Sequence, residues 1–400
     1  MSLAFREARE ADLDRLVDLH LSAFPDARGI DARRRNFAHN PRGALHDLVV
    51  AEQGGSLVAH GFLFALEAWF GGSRVQVGGI ASLGVSPEAR GTGVARALLA
   101  ELHARSHRRG DAVTLLYAFR EGFYATNGYA SVSPYRVLRF SPRAIPGAWS
   151  SHPGIVRPAT GDDREALERV HEHEAARRTG WTARSSALWD KKLLDERRRW
   201  FVVETEEAGV VGFVAWTLSQ TEPHAPVSLV VEDLAAEDDR ARARLLALVG
   251  AQRDQVASVS LDVSEDDPLP RALVDADRDE VGTERVEHPL GALVAGPMVR
   301  IADLQRAIEA RGYLADGGLD IVLPDARVHV EVTAGRARVL APRGGPQITL
   351  APGVMAAILY GSLAPTTGAR LGWISADTPA ALRQADALFT LPAFFGQDPF

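Results

Sequence analysis

The sequence predicts an α/β (α+β) chain made of two related mixed-sheet domains in tandem and a third, smaller α/β domain. Three observations carry this reading. A strand, a glycine loop and a helix follow one another over Gly79–Ala100. A set of residues recurs at a fixed offset of 151 positions. From about Met298 the texture becomes one helix, several short alternating strands and two more helices. The length of 400 residues agrees, because one core rarely grows past ~250–300 residues.

The repeat comes first along the chain. Arg6, Ala8, Asp12, Leu16 and His20 recur as Arg157, Ala159, Asp163, Leu167 and His171, and Gly61-Phe62 recurs as Gly212-Phe213 at the same offset. In each copy a strand end leads into an amphipathic helix and then an apolar hairpin. The hairpin turns lie at Gln53-Gly54-Gly55 and at Glu206–Gly209. A shared offset across two elements indicates duplication of one domain. Arg33-Arg34-Arg35, after the first helix, reads as a solvated or intersubunit face.

The stretch GIASLGVSPEARGTGVARALLA is the most informative in the chain. Ile80, Leu83 and Val85 suit a buried strand, which Ser86-Pro87 ends, since proline cannot donate to a sheet ladder. Arg90 to Ala95 then turn into a helix with Val94, Ala95, Leu98 and Leu99 on its apolar face. A glycine loop opening a helix leaves N–H groups free for an anion, aided by the positive end of the helix dipole. Gly91 and Gly93 let a phosphate approach the backbone. The unit is suited to a pyrophosphate, although the short pattern alone also fits a loop that binds nothing. A dinucleotide fingerprint belongs in the first strand–turn–helix of a Rossmann unit with an acidic residue about 20 positions on, and a Walker loop needs GK[ST]; neither fits here. Gly84 marks either a local bulge or a packing glycine. The second copy has Ala235-Ala236-Glu237-Asp238-Asp239-Arg240 at this place, which would repel a pyrophosphate. Pro142, Pro146 and Pro153 with Ser150-Ser151 mark a linker between the copies.

Asp111–Arg120 reads as the next strand, followed by Glu121–Tyr129. This region offers three phenols, Tyr117, Tyr124 and Tyr129, and spacing does not separate them. A phenol is protonated at neutral pH and can donate to a thiolate. His171-Glu172-His173 reads as a solvated helix face rather than a metal site, and His103 and His107 as an exposed helix end. No metal is expected. In the third region Ile301–Arg311 reads as a helix ending at Gly312. Leu319–Leu323, Val328–Val332 and Ala337–Leu340 read as strands, and Val354–Ser362 and Pro379–Leu388 as helices.

Composition narrows the function classes. A net charge of −7 and a pI near 6.0 argue against a nucleic-acid footprint and are compatible with a cationic partner. The chain has no cysteine, which excludes an acyl-cysteine intermediate, a disulfide and thiolate zinc sites. The N-terminus lacks the apolar core of a signal peptide. The longest apolar run, Val354–Ala364, is short of the ~20 residues needed to span a bilayer. No membrane partner is expected, and the location expected is cytoplasmic.

The strand, proline and loop resemble the (Q/R)xxGx(G/A) segment of the GNAT superfamily of acyl-CoA-dependent N-acyltransferases. The region after Met298 resembles a sterol carrier protein-like domain. Over its whole length the chain resembles the enhanced-intracellular-survival family of aminoglycoside N-acetyltransferases. The likeness rests on the cofactor loop, FYATNGYA, Trp189-Asp190 in ALWDKKLLD, Asp267–Pro270, Ile308–Tyr313 and a final phenylalanine. It implies a catalytic GNAT domain over 1–148, a second GNAT-like domain without a cofactor loop over 149–294, and a sterol carrier-like domain over 295–400 that delivers the C-terminus. It further implies acetyl-CoA as co-substrate, held by Leu83, Gly84, Val85, Arg90, Gly91, Thr92, Gly93, Val94, Ala95 and Arg96, with Phe119 and Arg120 as a second contact. Tyr124 would be the general acid and the carboxylate of Phe400 the base. Asp26 would line a pocket for an aminoglycoside or similar polycation, and the assembly would be a homohexamer. The family's loop is often richer in arginine, its substrate pocket often carries an aromatic residue where Arg33–Asn36 stand, and an acidic residue usually directly precedes its final phenylalanine. Two rival readings remain: acetylation of protein or peptide lysine, and a non-catalytic acyl-CoA or lipid-binding protein.

Overall fold

The computed structural model of the chain describes residues 3–24, 29–132, 134–273 and 290–400. The first copy runs β1 (Leu3–Glu7), α1 (Leu13–Ala23), α2 (Gly29–Ala38), β2 (Leu48–Gln53), β3 (Ser56–Phe70), β4 (Ser73–Val85), α3 (Val94–Arg109), β5 (Val113–Leu116), α4 (Glu121–Ala125) and β6 (Ala130–Ser131). After β7 (Tyr135–Phe140), the second runs β8 (Ile155–Pro158), α5 (Arg164–Ala176), α6 (Ser186–Leu193), β9 (Arg199–Thr205), β10 (Gly209–Ser219), β11 (Ser228–Ala236), α7 (Asp239–Gly250), β12 (Ser258–Ser264), α8 (Leu269–Ala272) and β13 (Gly291–Val294). Then come β14 (Met298–Ile301), α9 (Leu304–Ala310), β15 (Gly317–Leu323), β16 (Ala326–Thr333), β17 (Arg336–Leu340), β18 (Gln347–Leu350), α10 (Pro352–Leu359), α11 (Pro365–Arg370), β19 (Ile374–Ala376) and α12 (Pro379–Phe389).

The duplication shows in the sheets. The first has strand order β1-β2-β3-β4-β5-β14-β6 and the second, read from its far edge, β8-β9-β10-β11-β12-β7-β13. In each, the fourth and fifth strands form a parallel pair within an otherwise antiparallel sheet. The repeated residues explain themselves. Arg6 pairs with Asp12 at 2.7 Å and with Glu52, and Arg157 pairs with Asp163 at 2.8 Å and with Glu204. The same bracket ties strand, helix start and hairpin together twice.

The sheets cut across the boundaries expected at 148 and 294. β7, which precedes the second copy, lies in the second sheet, and β14, which follows it, lies in the first. Each sheet thus takes its sixth strand from chain beyond its own copy. The linker residues Ala144 and Ile145 also pack into the second core. The third sheet, β17-β16-β15-β18-β19, stands apart in hydrogen bonding. Its core is continuous with that of the first copy, joining Phe62, Phe70 and Val113 to Leu319, Tyr360 and Phe389.

Several elements are shorter than the sequence suggests. The strand expected over Asp111–Arg120 is only β5, because Asp111 is engaged by Ser106 and Arg109 and the chain leaves the sheet after Leu116. Ile301 belongs to β14 and not to the following helix, which starts after the Asp303 cap on Arg306 N–H. β18, β19 and α11 have no counterpart in the expectation; they are three to six residues long, too short for a periodic pattern.

Candidate active site

The glycine loop leaves β4 and enters α3. Gly91 and Gly93 take φ of 77° and 90°, in the left-handed region, and no atom lies within 4 Å of where a Cβ would stand at either. The ground above both is open. The first helical bond runs from Ala97 N–H to the Gly93 carbonyl, so the amides of Val94, Ala95 and Arg96 precede the ladder and are not used by it. Arg90 straps the loop down through the carbonyls of Val85 (3.3 Å) and Ser22 (3.1 Å). Thr92 Oγ1 donates to Ala89 at 2.7 Å. Val94, Leu98 and Leu99 anchor α3 in the core.

The strand before the loop parts from its neighbour. β4 and β5 pair from Val77–Val113 to Gly79–Leu115 and then diverge. Across β3, the register runs His60–Gly84 and then Phe62–Ala81, so β4 carries an extra residue here. The bulge centres on Ser82, whose φ is 51°, and Gly84 is a packing glycine: a Cβ there would stand 2.8 Å from His60 Nε2.

A cavity of about 280 Å³ opens beside this bulge. It is lined by Ile80–Leu83, Leu116, Tyr117, Phe119, Tyr124, His20, Phe24, Arg33 and Phe400. The structure therefore brings Tyr124 and Phe400 to one space, against the strand assigned to the cofactor. The Phe400 ring meets Tyr117 edge-on at 5.5 Å and Phe64 at 6.5 Å. It fits because residue 79 is glycine; a Cβ there would lie 3.0 Å from its Cε2. Arg42 donates to the carbonyls of Asp398 (3.2 Å) and Pro399 (2.9 Å).

The three phenols now differ. Tyr129 shares hydrogen bonds of 2.9 Å with Thr114 Oγ1 and with His103 Nε2, and lies in the core. Tyr117 and Tyr124 line the cavity. Burial pushes the Tyr124 phenol up to about 12 and that of Tyr117 further. Among the described residues, Tyr124 makes no side-chain hydrogen bond that holds its hydroxyl elsewhere. Phe119, 72% exposed, stands at the mouth edge-on to Tyr124, and Arg120 is exposed beside it. Asp26 lies outside the described residues.

Two histidines and one arginine depart from expectation. Arg33 is buried, over the Phe37 ring at 5.9 Å and in the cavity wall; Arg34 and Arg35 are exposed. His103 is half-buried, because Tyr129 reaches it across the helix, and burial beside Arg300 holds its imidazole down to about 3. His171 is buried between Trp181 and Trp189, and burial lowers it to about 3 as well. Glu172, next to it, pairs with Arg74. No group of metal-ligating side chains occurs among the described residues. His20, its counterpart in the first copy, packs 5.2 Å from the buried His60 and reaches the cavity. Sequence reasoning missed His20, Arg33 and Gly79 as site residues. The glycine pair at 78–79 in a strand was the available signal.

In the second copy the equivalent helix start is occupied from within. Asp238 caps α7 by accepting from Ala241 N–H at 2.8 Å, and Glu237 is engaged by Arg169 and Arg177. A carboxylate already fills the place an anion would take.

Residues 4–132 and 180–301 each match a family described as an acetyltransferase (GNAT) domain. The chain is 26% identical over 330 residues to proteins named N-acetyltransferase Eis from Mycobacterium tuberculosis and Mycobacterium bovis, covering 78% of this chain and 77% of theirs. A GCN5-related N-acetyltransferase from Anabaena variabilis superposes over the full length of both chains with a TM-score of 0.85 at 19% identity. Eis1 from Mycobacterium abscessus does so with a TM-score of 0.78 at 22% identity. No helix among the described residues is long and apolar enough to cross a membrane.

Proposed function

We propose that this chain, which belongs to the Eis family of GNAT proteins and transfers acetyl groups from acetyl-CoA to amines, acts on the amines of a polycation of the aminoglycoside type. The observation that carries the proposal is the cavity at the parting of β4 and β5, where Tyr124 and Phe400 face the bulged strand. In this reading the amides of Val94 to Arg96, with Gly91 and Gly93, hold the pyrophosphate, and Thr92, Phe119 and Arg120 border the bound cofactor. The backbone of Leu83 to Val85 polarises the thioester carbonyl. The Phe400 carboxylate takes a proton from the acceptor ammonium. The free amine forms a bond to the carbonyl carbon, Tyr124 gives its proton to the thiolate as the C–S bond breaks, and the second proton shed by the new amide nitrogen restores the Tyr124 phenol through solvent, while the Phe400 carboxyl releases the first.

A second cavity supports a cationic acceptor. It shares Tyr117 with the first and is lined by Glu232, Asp233, Asp262 and Asp267. Asp233, Asp267 and Glu232 have cations of their own, Glu232 through Arg198 at 3.6 Å. The Asp262 carboxyl is pushed up first by burial and only then by the neighbouring Glu232 charge. A bound ammonium would relieve it. The exposed Leu314, Leu371 and Trp373 of the third domain offer apolar contacts for the hexamer that the family resemblance implies, and that domain's sheet and helices are read as sterol carrier-like.

Thiol release from acetyl-CoA, compared across an aminoglycoside, a linear polyamine and a lysine peptide, tests the acceptor. The expected result is highest kcat/KM for the aminoglycoside, with a raised KM for it in Asp262→Asn. Preference for the lysine peptide would replace the substrate assignment, and no turnover with any amine would favour a binding protein.

A further inference from the structure

We propose that the second copy has turned its splayed strands into a clamp for the segment Phe394–Phe400, locked by the buried quartet Arg184, Lys192, Asp233 and Asp398. The proposal rests on the reading above, in which Phe400 supplies the base. The four are positioning residues: they touch neither reacting atom and act through the place they give Phe400.

The two copies part their parallel strands in the same way. In the second, β11 and β12 pair from Ser228–Ser258 to Val231–Leu261 and then diverge. The register against β10 also shifts here, from Ala215–Asp233 to Trp216–Val231. Asp233 stands 151 positions after Ser82, the bulge of the cofactor strand. In the first copy the space beyond the parting is the catalytic cavity. In the second, one of its walls is the chain's own Phe395, Gly396, Gln397 and Pro399.

The grip is electrostatic and dry. Arg184 Nε donates to Asp398 Oδ2 at 2.6 Å and its Nη2 to Asp233 at 2.8 Å. Lys192 Nζ lies 2.7 Å from Asp398 Oδ1 and 3.1 Å from Asp233 Oδ2. The side chains of Arg184, Asp233 and Asp398 are 0 to 3% exposed and that of Lys192 10%. The Gln397 amide donates to Asp233 as well. On the upstream side, Phe395 N–H donates to the Thr179 carbonyl at 2.9 Å, and Phe394 lies where a Cβ on Gly180 would stand.

Burying four charges is a poor route to stability, since apolar residues of similar volume commonly serve as well or better; what such a network supplies well is register. Sliding the segment by one residue would set Gln397 or Pro399 against Arg184 and Lys192 and leave two buried cations short of a carboxylate. One residue of extended chain is about 3.3 Å, and a misplacement of about 1 Å already costs on the order of 10² in rate. Asp398 is two residues from Phe400, so its register is that of the base.

Two variants test this. Asp398→Asn removes one carboxylate. Lys192→Met with Asp398→Asn removes one of each sign, so the remaining Arg184–Asp233 pair stays neutral and the fold is not left with a net buried charge. Each is measured for kcat, for KM of acetyl-CoA and for its melting temperature, and the double variant and the parent are also measured with residues added after Phe400. The expected result is a fall in kcat of about 10- to 100-fold with KM of acetyl-CoA unchanged, partial recovery in Asp398→Glu, and extension that depresses the parent strongly but the double variant little further. Full kcat in the double variant, with extension still damaging the parent, overturns the clamp and leaves Phe400 as the base. Extension harmless to the parent overturns the reading beneath, and the clamp with it. A loss expressed equally in KM of acetyl-CoA and in melting temperature marks the quartet as a fold support only and also overturns the clamp.

Discussion

Three tyrosines lie within a few residues of the acyl site, and what separates them is the company of each hydroxyl. Tyr129 is held between Thr114 and His103, so its proton is already shared. Tyr124 reaches the cavity, and burial raises its phenol to about 12. A raised value keeps the neutral, donating form present across any practical assay range. Replacing Tyr124 by Phe is expected to lower kcat by roughly 10²–10⁴-fold with little change in CoA affinity. The parent's kcat should show no descending limb from this group below pH ~11. An alkaline limb near pH 9 that disappears in Tyr124→Phe would contradict the raised value but keep Tyr124 as the acid; near-normal turnover of that variant would contradict the assignment. The sequence placed Tyr124 among three candidates because a motif fixes spacing, but the His103–Tyr129 bond joins residues 26 apart, and no local pattern carries that. Arg33 misled for a related reason: in a run of three arginines only one turns inward, and the helix face that decides it is set by Phe37 and the cavity.

At the scale of elements, local chemistry was legible and pairing was not. The loop between β4 and α3 could be read because its glycines, proline and helix start are contiguous, and Arg6 and Asp12 stood out because they recur, whereas their partner Glu52 lies 152 positions before Glu204 and escapes the shared offset. The bulge was partly legible: the sequence drew attention to Gly84, but the extra residue is Ser82, since register depends on the partner strand. The same comparison explains the second copy, where the Asp238 carboxylate takes the Ala241 amide at a helix start that Gly93 leaves uncapped in the first. Gly93 has a φ of 90°, so substitution acts both by strain and by blocking the anion. Asparagine tolerates this conformation and leucine does not. Gly93→Asn is expected to keep measurable CoA binding and Gly93→Leu to weaken it by more than about tenfold, with Leu98, Leu99 and Leu102 still holding α3 in place. Calorimetry on both, with a melting curve to show that each is folded, checks this; unchanged affinity in a folded Gly93→Leu variant removes the cofactor assignment from the loop.

For the whole molecule, the reciprocal loan of strands was out of reach of pattern reading. β7 is six residues and β14 four, and a short apolar run is the same whichever sheet receives it. Their exchange makes the catalytic copy depend on chain that follows the second copy. β14 inserts between β5 and β6, with Met298 and Val299 buried, and α10 packs on it. The third domain closes the same core from below, and residues 393–400 return across the second copy to the cavity. A fragment 1–148 therefore contains every residue proposed to bind CoA but lacks the strand that completes its sheet, and it carries β7 with no sheet to join. It is expected to melt without a cooperative transition, expose apolar surface and bind CoA at least about tenfold more weakly than the full chain. A fragment 1–301 restores both sheets and should recover cooperative melting of the second copy, yet still fail in acetyl transfer, because Phe400 and the third-domain half of the shared core are missing. Circular dichroism melts and CoA calorimetry on the two fragments and the full chain read these differences directly. If the 1–148 fragment melts cooperatively with the affinity of the full chain, the catalytic copy is an independent domain, and the loaned strand is an accessory to the sheet and not a condition of it.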